Sequence, residues 1–152
     1  MRLIFATLTV LSALLFCYGI GCFDAEGVED VTAPALTGWS FPGTTLDTSS
    51  GPQTVNIALN ITDGLTGFNR GTVCLRPPDS GSQMQFVRFD AAQRVSGSAN
   101  NGAYSVPVTL PQYARVGAWK IANVELIDAV GNSRVLRLGD TAFGNYSTVW
   151  NQ

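Results

Sequence analysis

Three aspartates sit beside turn-forming residues and have the chemistry to hold a hard cation. Asp30 lies in Glu29-Asp30-Val31-Thr32, Asp63 in Thr62-Asp63-Gly64, and Asp128 opens Asp128-Ala129-Val130-Gly131-Asn132. Calcium takes several oxygen donors at once, from carboxylates, amides and carbonyls. Asp30, Asp63, Asp128 and Asn132 are therefore candidate calcium ligands. A plainer use of the same residues competes with this one. Asp and Asn side chains bond their own backbone in turns, and Gly131 and Asn132 tolerate the positive φ of a tight hairpin. The chain also lacks the dense array of alternating aspartates found in strong calcium loops. Ion site and turn both stand as readings, and they part on whether calcium stabilises the fold.

Catalytic alternatives are few. The 152-residue chain contains no histidine, which removes Ser-His-Asp and Cys-His arrangements. Neither G-x-x-x-x-G-K-[ST] nor G-x-S-x-G occurs. Paired carboxylates can serve a glycosidase, but turns already account for Asp63 and Asp128. No catalytic residue is expected, and the protein is read as a non-enzyme. Charged residues are only 13% of the chain, well below the usual quarter. No basic surface for nucleic acid is expected.

The first 22 residues read as an export signal. Arg2 precedes an apolar run over residues 3–20, and acidic residues follow directly. A retained membrane helix is the alternative, since the run is just long enough to span. Gly19-Ile20-Gly21-Cys22 resembles a bacterial lipobox, although Leu is usual where Gly19 stands. Cys22 is thus the candidate lipidation site, and if the segment is a cleaved signal, acylation there would be the route to a membrane. Plain signal-peptidase cleavage nearby is the other reading. It would leave Cys22 able to pair with Cys74 in an oxidising compartment. Residues 23–33 are acidic and aperiodic and read as a tether. The expected location is extracytoplasmic, secreted or anchored to the envelope. Asn60-Ile61-Thr62 and Asn145-Tyr146-Ser147 match glycosylation acceptors, a reading set aside beside the lipobox-like signal.

Positioning those aspartates falls to β-strands. From Pro34 the apolar period is two. Val55, Ile57, Leu59 and Ile61 alternate with Thr54, Asn56, Ala58, Asn60 and Thr62, the pattern of a half-buried strand. Tyr104, Val106, Val108 and Leu110 repeat it. Trp119 and Ile121 are followed one residue out of phase by Val124 and Leu126, so a β-bulge is expected near Ala122-Asn123. Pro107 gives no ladder donor, which puts its strand at an edge or its neighbour's end close by. Turn residues separate seven expected strands, at about 34–41, 53–62, 69–76, 82–90, 103–110, 117–127 and 133–138. With no helical period anywhere, the fold class is all-β. A two-sheet sandwich over 34–140 is expected, with a small closed barrel as the alternative. Residues 141–152 form an aromatic tail, expected to pack back on the sandwich or to add a strand to a partner.

Six short motifs then occur in order. They are Asp30-Val31-Thr32-Ala33-Pro34, Leu46-Asp47-Thr48-Ser49-Ser50-Gly51, Ile61-Thr62-Asp63-Gly64-Leu65-Thr66-Gly67, Val108-Thr109-Leu110-Pro111-Gln112-Tyr113, Gly117-Ala118-Trp119 and Asp128-Ala129-Val130-Gly131-Asn132. Over about 30–138 they resemble bacterial immunoglobulin-like, cadherin-like modules of secreted and surface proteins. Thr66 departs from the usual Ser and Ala118 from the common Thr. The resemblance implies a seven-stranded immunoglobulin-like β-sandwich with a structural or adhesive role. It also implies a tyrosine corner at Tyr113, with its hydroxyl bonded to local backbone.

In that strand order, alternate loops return to the pole where the chain enters. Asp30, Asp63, Asn100-Asn101 and Asp128-Asn132 are expected to gather there. The partners expected are the cell envelope, a surface protein or a polysaccharide. A binding module of this kind would present exposed aromatics, with Trp39, Tyr104, Tyr146 and Trp150 as candidates. Trp119 is expected in the core.

Overall fold

The computed structural model describes residues 27–79, 83–137 and 149–151. Among them are ten strands: β1 (Ala35–Ser40), β2 (Thr45–Leu46), β3 (Gln53–Thr62), β4 (Phe68–Arg76), β5 (Gln85–Asp90), β6 (Arg94–Gly97), β7 (Asn101–Leu110), β8 (Gly117–Asp128), β9 (Ser133–Arg137) and β10 (Val149–Asn151). A single 3-10 turn, Ala91–Gln93, is the only helical element described. One sheet runs β1-β3-β7-β6 and the other β2-β10-β8-β4-β5, with β9 also paired to β8. All pairings are antiparallel except the short one between β10 and β2. The expected all-β class holds, and two sheets closing on one core fit a sandwich, not a closed barrel.

Each of the seven expected runs coincides with a strand. The remaining three, β2, β6 and β10, are too short to show a period of two. Within the tail over residues 141–152, β10 pairs with Gly117–Trp119 of its own chain.

Alternation explains the central pair of the first sheet. Val55, Ile57, Leu59 and Ile61 of β3 are buried, with exposed residues between them. β7 meets β3 in unbroken register from Gln53↔Leu110 to Thr62↔Asn101. On the outer face, Thr54 and Thr109 share a hydroxyl hydrogen bond of 2.7 Å. Pro107 opposes Asn56 of β3, while β6 pairs with β7 only as far as Tyr104. The neighbour does end short of the proline. In β8 the register against β4 slips between Asn123↔Cys74 and Ile121↔Leu75. Ala122 is the extra residue, and it lets both Trp119-Ile121 and Val124-Leu126 face inward.

The core gathers side chains from both sheets. Phe68 of β4 stacks on Phe89 of β5 at 5.3 Å, and both meet Tyr104 of β7 edge-on, at 4.9 and 6.0 Å. These offset and edge geometries suit the ring quadrupoles. Trp119 is in the core as expected, and its Nε1 donates to the Arg115 carbonyl at 2.9 Å. Gly71 makes the Phe89 position possible. A Cβ there would lie 2.6 Å from the Phe89 ring and 2.7 Å from the Glu125 carbonyl oxygen. Gly71→Ala is expected to cost roughly 1–3 kcal/mol through overpacking, read as a lowered urea midpoint. Gly43→Ala, where an added Cβ meets nothing within 4 Å, is expected to leave that midpoint nearly unchanged.

Candidate functional site

The sandwich brings four segments to one pole: the entry before β1, the β3–β4 loop, the β6–β7 turn and the β8–β9 loop. Backbone bonds lock them together. Asp63 N–H donates to the Asn100 carbonyl at 3.0 Å, Phe68 N–H to that of Ala99 at 2.9 Å, and Ala129 N–H to that of Gly67 at 3.2 Å. Asn100 Nδ2 donates to the Gly64 carbonyl at 2.7 Å. Gly67 is required at the crossing. Its φ is +80, and a Cβ would lie 2.8 Å from that of Ala99. One oxygen from each of Asp30, Asp63 and Asp128 then lies within 4.8 Å of the others. The gathering expected from strand order is present.

Two of the three carboxylates accept several hydrogen bonds each. Asp30 is 7% exposed. Its Oδ1 accepts from Thr32 N–H at 3.0 Å and Thr32 Oγ1 at 2.8 Å. Its Oδ2 accepts from Thr66 N–H and Thr66 Oγ1, both at 2.8 Å. Four donors, led by the Thr32 amide, hold this carboxyl well below the usual range against the opposing effect of burial. Asp128 is 1% exposed. Its Oδ1 accepts from the amides of Val130, Gly131 and Asn132 at 3.0, 2.6 and 2.7 Å. Its Oδ2 accepts from Asn132 Nδ2 at 2.7 Å. Burial acts to raise this group, but the bonds from Asn132, Gly131 and Val130 outweigh it and the pKa is lowered. The turn reading of Asp128-x-x-Gly-Asn is correct for these atoms. Asn132 also donates to the Asp30 main-chain carbonyl at 2.8 Å, so it joins two of the loops through its amide nitrogen.

Asp63 differs. Both of its carboxyl oxygens are buried and neither has a hydrogen-bond partner. Burial pushes its pKa above the ordinary 3.8, the charges of Asp30 and Asp128 push the same way, and the nearby amides of Gly64 and Gly67 offset only part. A lone buried carboxylate facing two ionised ones is costly. It is relieved by a proton or by a cation. The clamp from Thr32 and Thr66 was not anticipated in the sequence. A hydroxyl two residues after Asp30 is a local signal, but Thr66 is 36 residues away and only the fold joins it.

The other candidates fare differently. Tyr104 is 1% exposed and belongs to the aromatic core, which corrects its expected role as an exposed platform. Trp39 is half-buried against the core. Trp150 lies in β10, known here by its backbone, and Tyr146 and Cys22 lie outside the described residues. Tyr113 does not form the expected corner. It is 73% exposed at φ 59, and its backbone N–H, not its hydroxyl, bonds the Thr48 carbonyl at 3.1 Å. Among the described residues Cys74 is a buried free cysteine, and burial raises its thiol pKa. Among the described residues no helix is long and apolar enough to cross a membrane.

Residues 30–150 match the model of a family described as a domain of unknown function, DUF7035, and the chain belongs to that family. The matched segment begins at Asp30 and includes all three carboxylates. No curated protein matches the chain.

The shifts carry opposite signs. Asp30 and Asp128, lowered, contribute stability above pH 3.8 that is lost as pH falls through their folded values. Asp63, raised, contributes stability below pH 3.8 that is lost as pH rises through its folded value. In chelator, urea melts are expected to show stability declining above pH 3.8, by at most about 1.4 kcal/mol per pH unit. Asp63→Asn is expected to flatten that decline; an unchanged decline would place its origin elsewhere.

Proposed function

We propose that this protein is a non-catalytic, exported module of immunoglobulin-like type with a structural or adhesive role. In this reading its acidic pole holds calcium, which stiffens the loops around it. The observation that carries the proposal is the unpartnered, buried carboxylate of Asp63 between Asp30 and Asp128. A purely turn-forming cluster has no need of that group. Oxygens bound to one calcium lie no more than about 4.6–5.2 Å apart, and one oxygen from each carboxylate of the triad falls within 4.8 Å of the others. The donors are all oxygen, the preference of a hard cation.

Most lone pairs of Asp30 and Asp128 already accept hydrogen bonds. The protein therefore offers few strong ligands, and the site belongs with the weak extracellular class, of Kd about 10⁻⁴–10⁻³ M. Such a site fills outside the cytoplasm, which agrees with the signal-like segment over residues 1–22. The envelope, a surface protein or a polysaccharide remains the proposed partner, with a lipid anchor at Cys22 the one proposed contact with a membrane. At neutral pH, ~10 mM calcium is expected to raise the melting midpoint of the full-length chain by several degrees over chelator. Asp63→Ala is expected to abolish the rise while the variant still folds. No rise in the unaltered chain would overturn calcium binding.

A further inference from the structure

The second sheet carries a cleft of about 450 Å³ that reaches Gly71 and the core residue Phe89 and is otherwise lined mostly by polar residues of β4, β5 and β8 and by the 3-10 turn. Its floor follows from register. Thr72 of β4 lies directly between Arg88 of β5 and Glu125 of β8. Directly opposed residues share a face, so these three side chains stand in one row. Arg70 stands in the next row, between Asp90 and Ile127. On the other side of Arg88, the same alternation places Phe86 on this face, 65% exposed.

Two features point to a ligand. Arg70 and Arg88 make no ion pair among the described residues, although Asp90 and Glu125 stand in neighbouring positions. Asp90 has another role, since its Oδ1 caps the 3-10 turn by accepting from Ala92 N–H at 2.8 Å. Diagonal neighbours on adjacent strands lie roughly 7–8 Å apart, within reach of two long side chains converging on one anion. Guanidinium groups match carboxylate and sulfate through paired N–H donors. The hydroxyl of Thr72 and the carboxylate of Glu125 suit neutral hydroxyl groups instead. Phe86 stands one row further along β5, opposite Cys74 and beyond the residues that line the cleft, and offers an exposed apolar face on the same side of the sheet.

We propose that this cleft binds one unit of an acidic saccharide. Arg70 and Arg88 hold its carboxylate or sulfate, Thr72 and Glu125 meet its hydroxyls, and Phe86 packs on the face of its ring. This inference is independent of the acidic pole and does not need calcium there. It assigns the binding of a surface polysaccharide to residues none of which was among the sequence candidates.

The test is a titration of the full-length chain followed by NMR and calorimetry. The probes are a glucuronate-containing disaccharide, a sulfated disaccharide, maltose and sodium sulfate. Saturable binding of either acidic disaccharide is expected, and which one binds identifies the anionic group. Binding is expected to weaken with salt. Arg70→Ala and Arg88→Ala are each expected to lower affinity about tenfold, and Phe86→Ala several-fold. All three side chains are exposed, and a thermal melt checks that each variant folds. Binding of maltose or sodium sulfate as tight as that of the acidic disaccharides would overturn the proposal. So would binding that Arg70→Ala and Arg88→Ala leave unchanged, or no binding of any probe.

Discussion

Like charges held a few ångströms apart in a buried site repel unless a proton or a cation lies between them. Three loops of this protein meet at such a point. Asp30 and Asp128 are kept ionised by the amides, hydroxyls and side-chain amide that surround them. Their charges are then fixed features of the pole. Asp63 makes no hydrogen bond through its carboxylate, and the nearby amides of Gly64 and Gly67 offset only part of its burial. The pole thus combines two hydrogen-bonded carboxylates that tie loops together with a third whose carboxyl oxygens make no hydrogen bond.

The sandwich explains how such an arrangement persists. Asn132 joins the entry segment to the β8–β9 loop, and Thr66 joins that entry to the β3–β4 loop. Immediately beneath, Phe68 begins β4 and packs on Phe89 and Tyr104, so the pole rests on the aromatic contact between the sheets.

Much of this was legible in the residues because β-structure writes burial as alternation. The slip of phase after Ile121 placed the bulge at Ala122. Pro107 signalled that the strand beside β7 ends early. The gathering of Asp30, Asp63 and Asp128 followed from strand order, since alternate loops return to one pole. What could not be read depended on register or on short segments. Val149–Asn151 is three residues long and shows no period. Thr72, Arg88 and Glu125 are distant in sequence and become neighbours only through pairing across three strands. Tyr104, one of the candidate exposed aromatics, alternates in phase with Val106 and faces inward with it. Tyr113 precedes a strand as a corner tyrosine would, but its left-handed backbone turns the ring to solvent.

The most direct test of the central claim is an NMR titration of the Asp63 carboxyl carbon in the full-length chain, with chelator and then with calcium. The account predicts a pKa above the ordinary 3.8 in chelator and, with calcium bound, a group that stays ionised to markedly lower pH. An Asp63 that titrates at or below 3.8 in chelator and does not respond to calcium would contradict it.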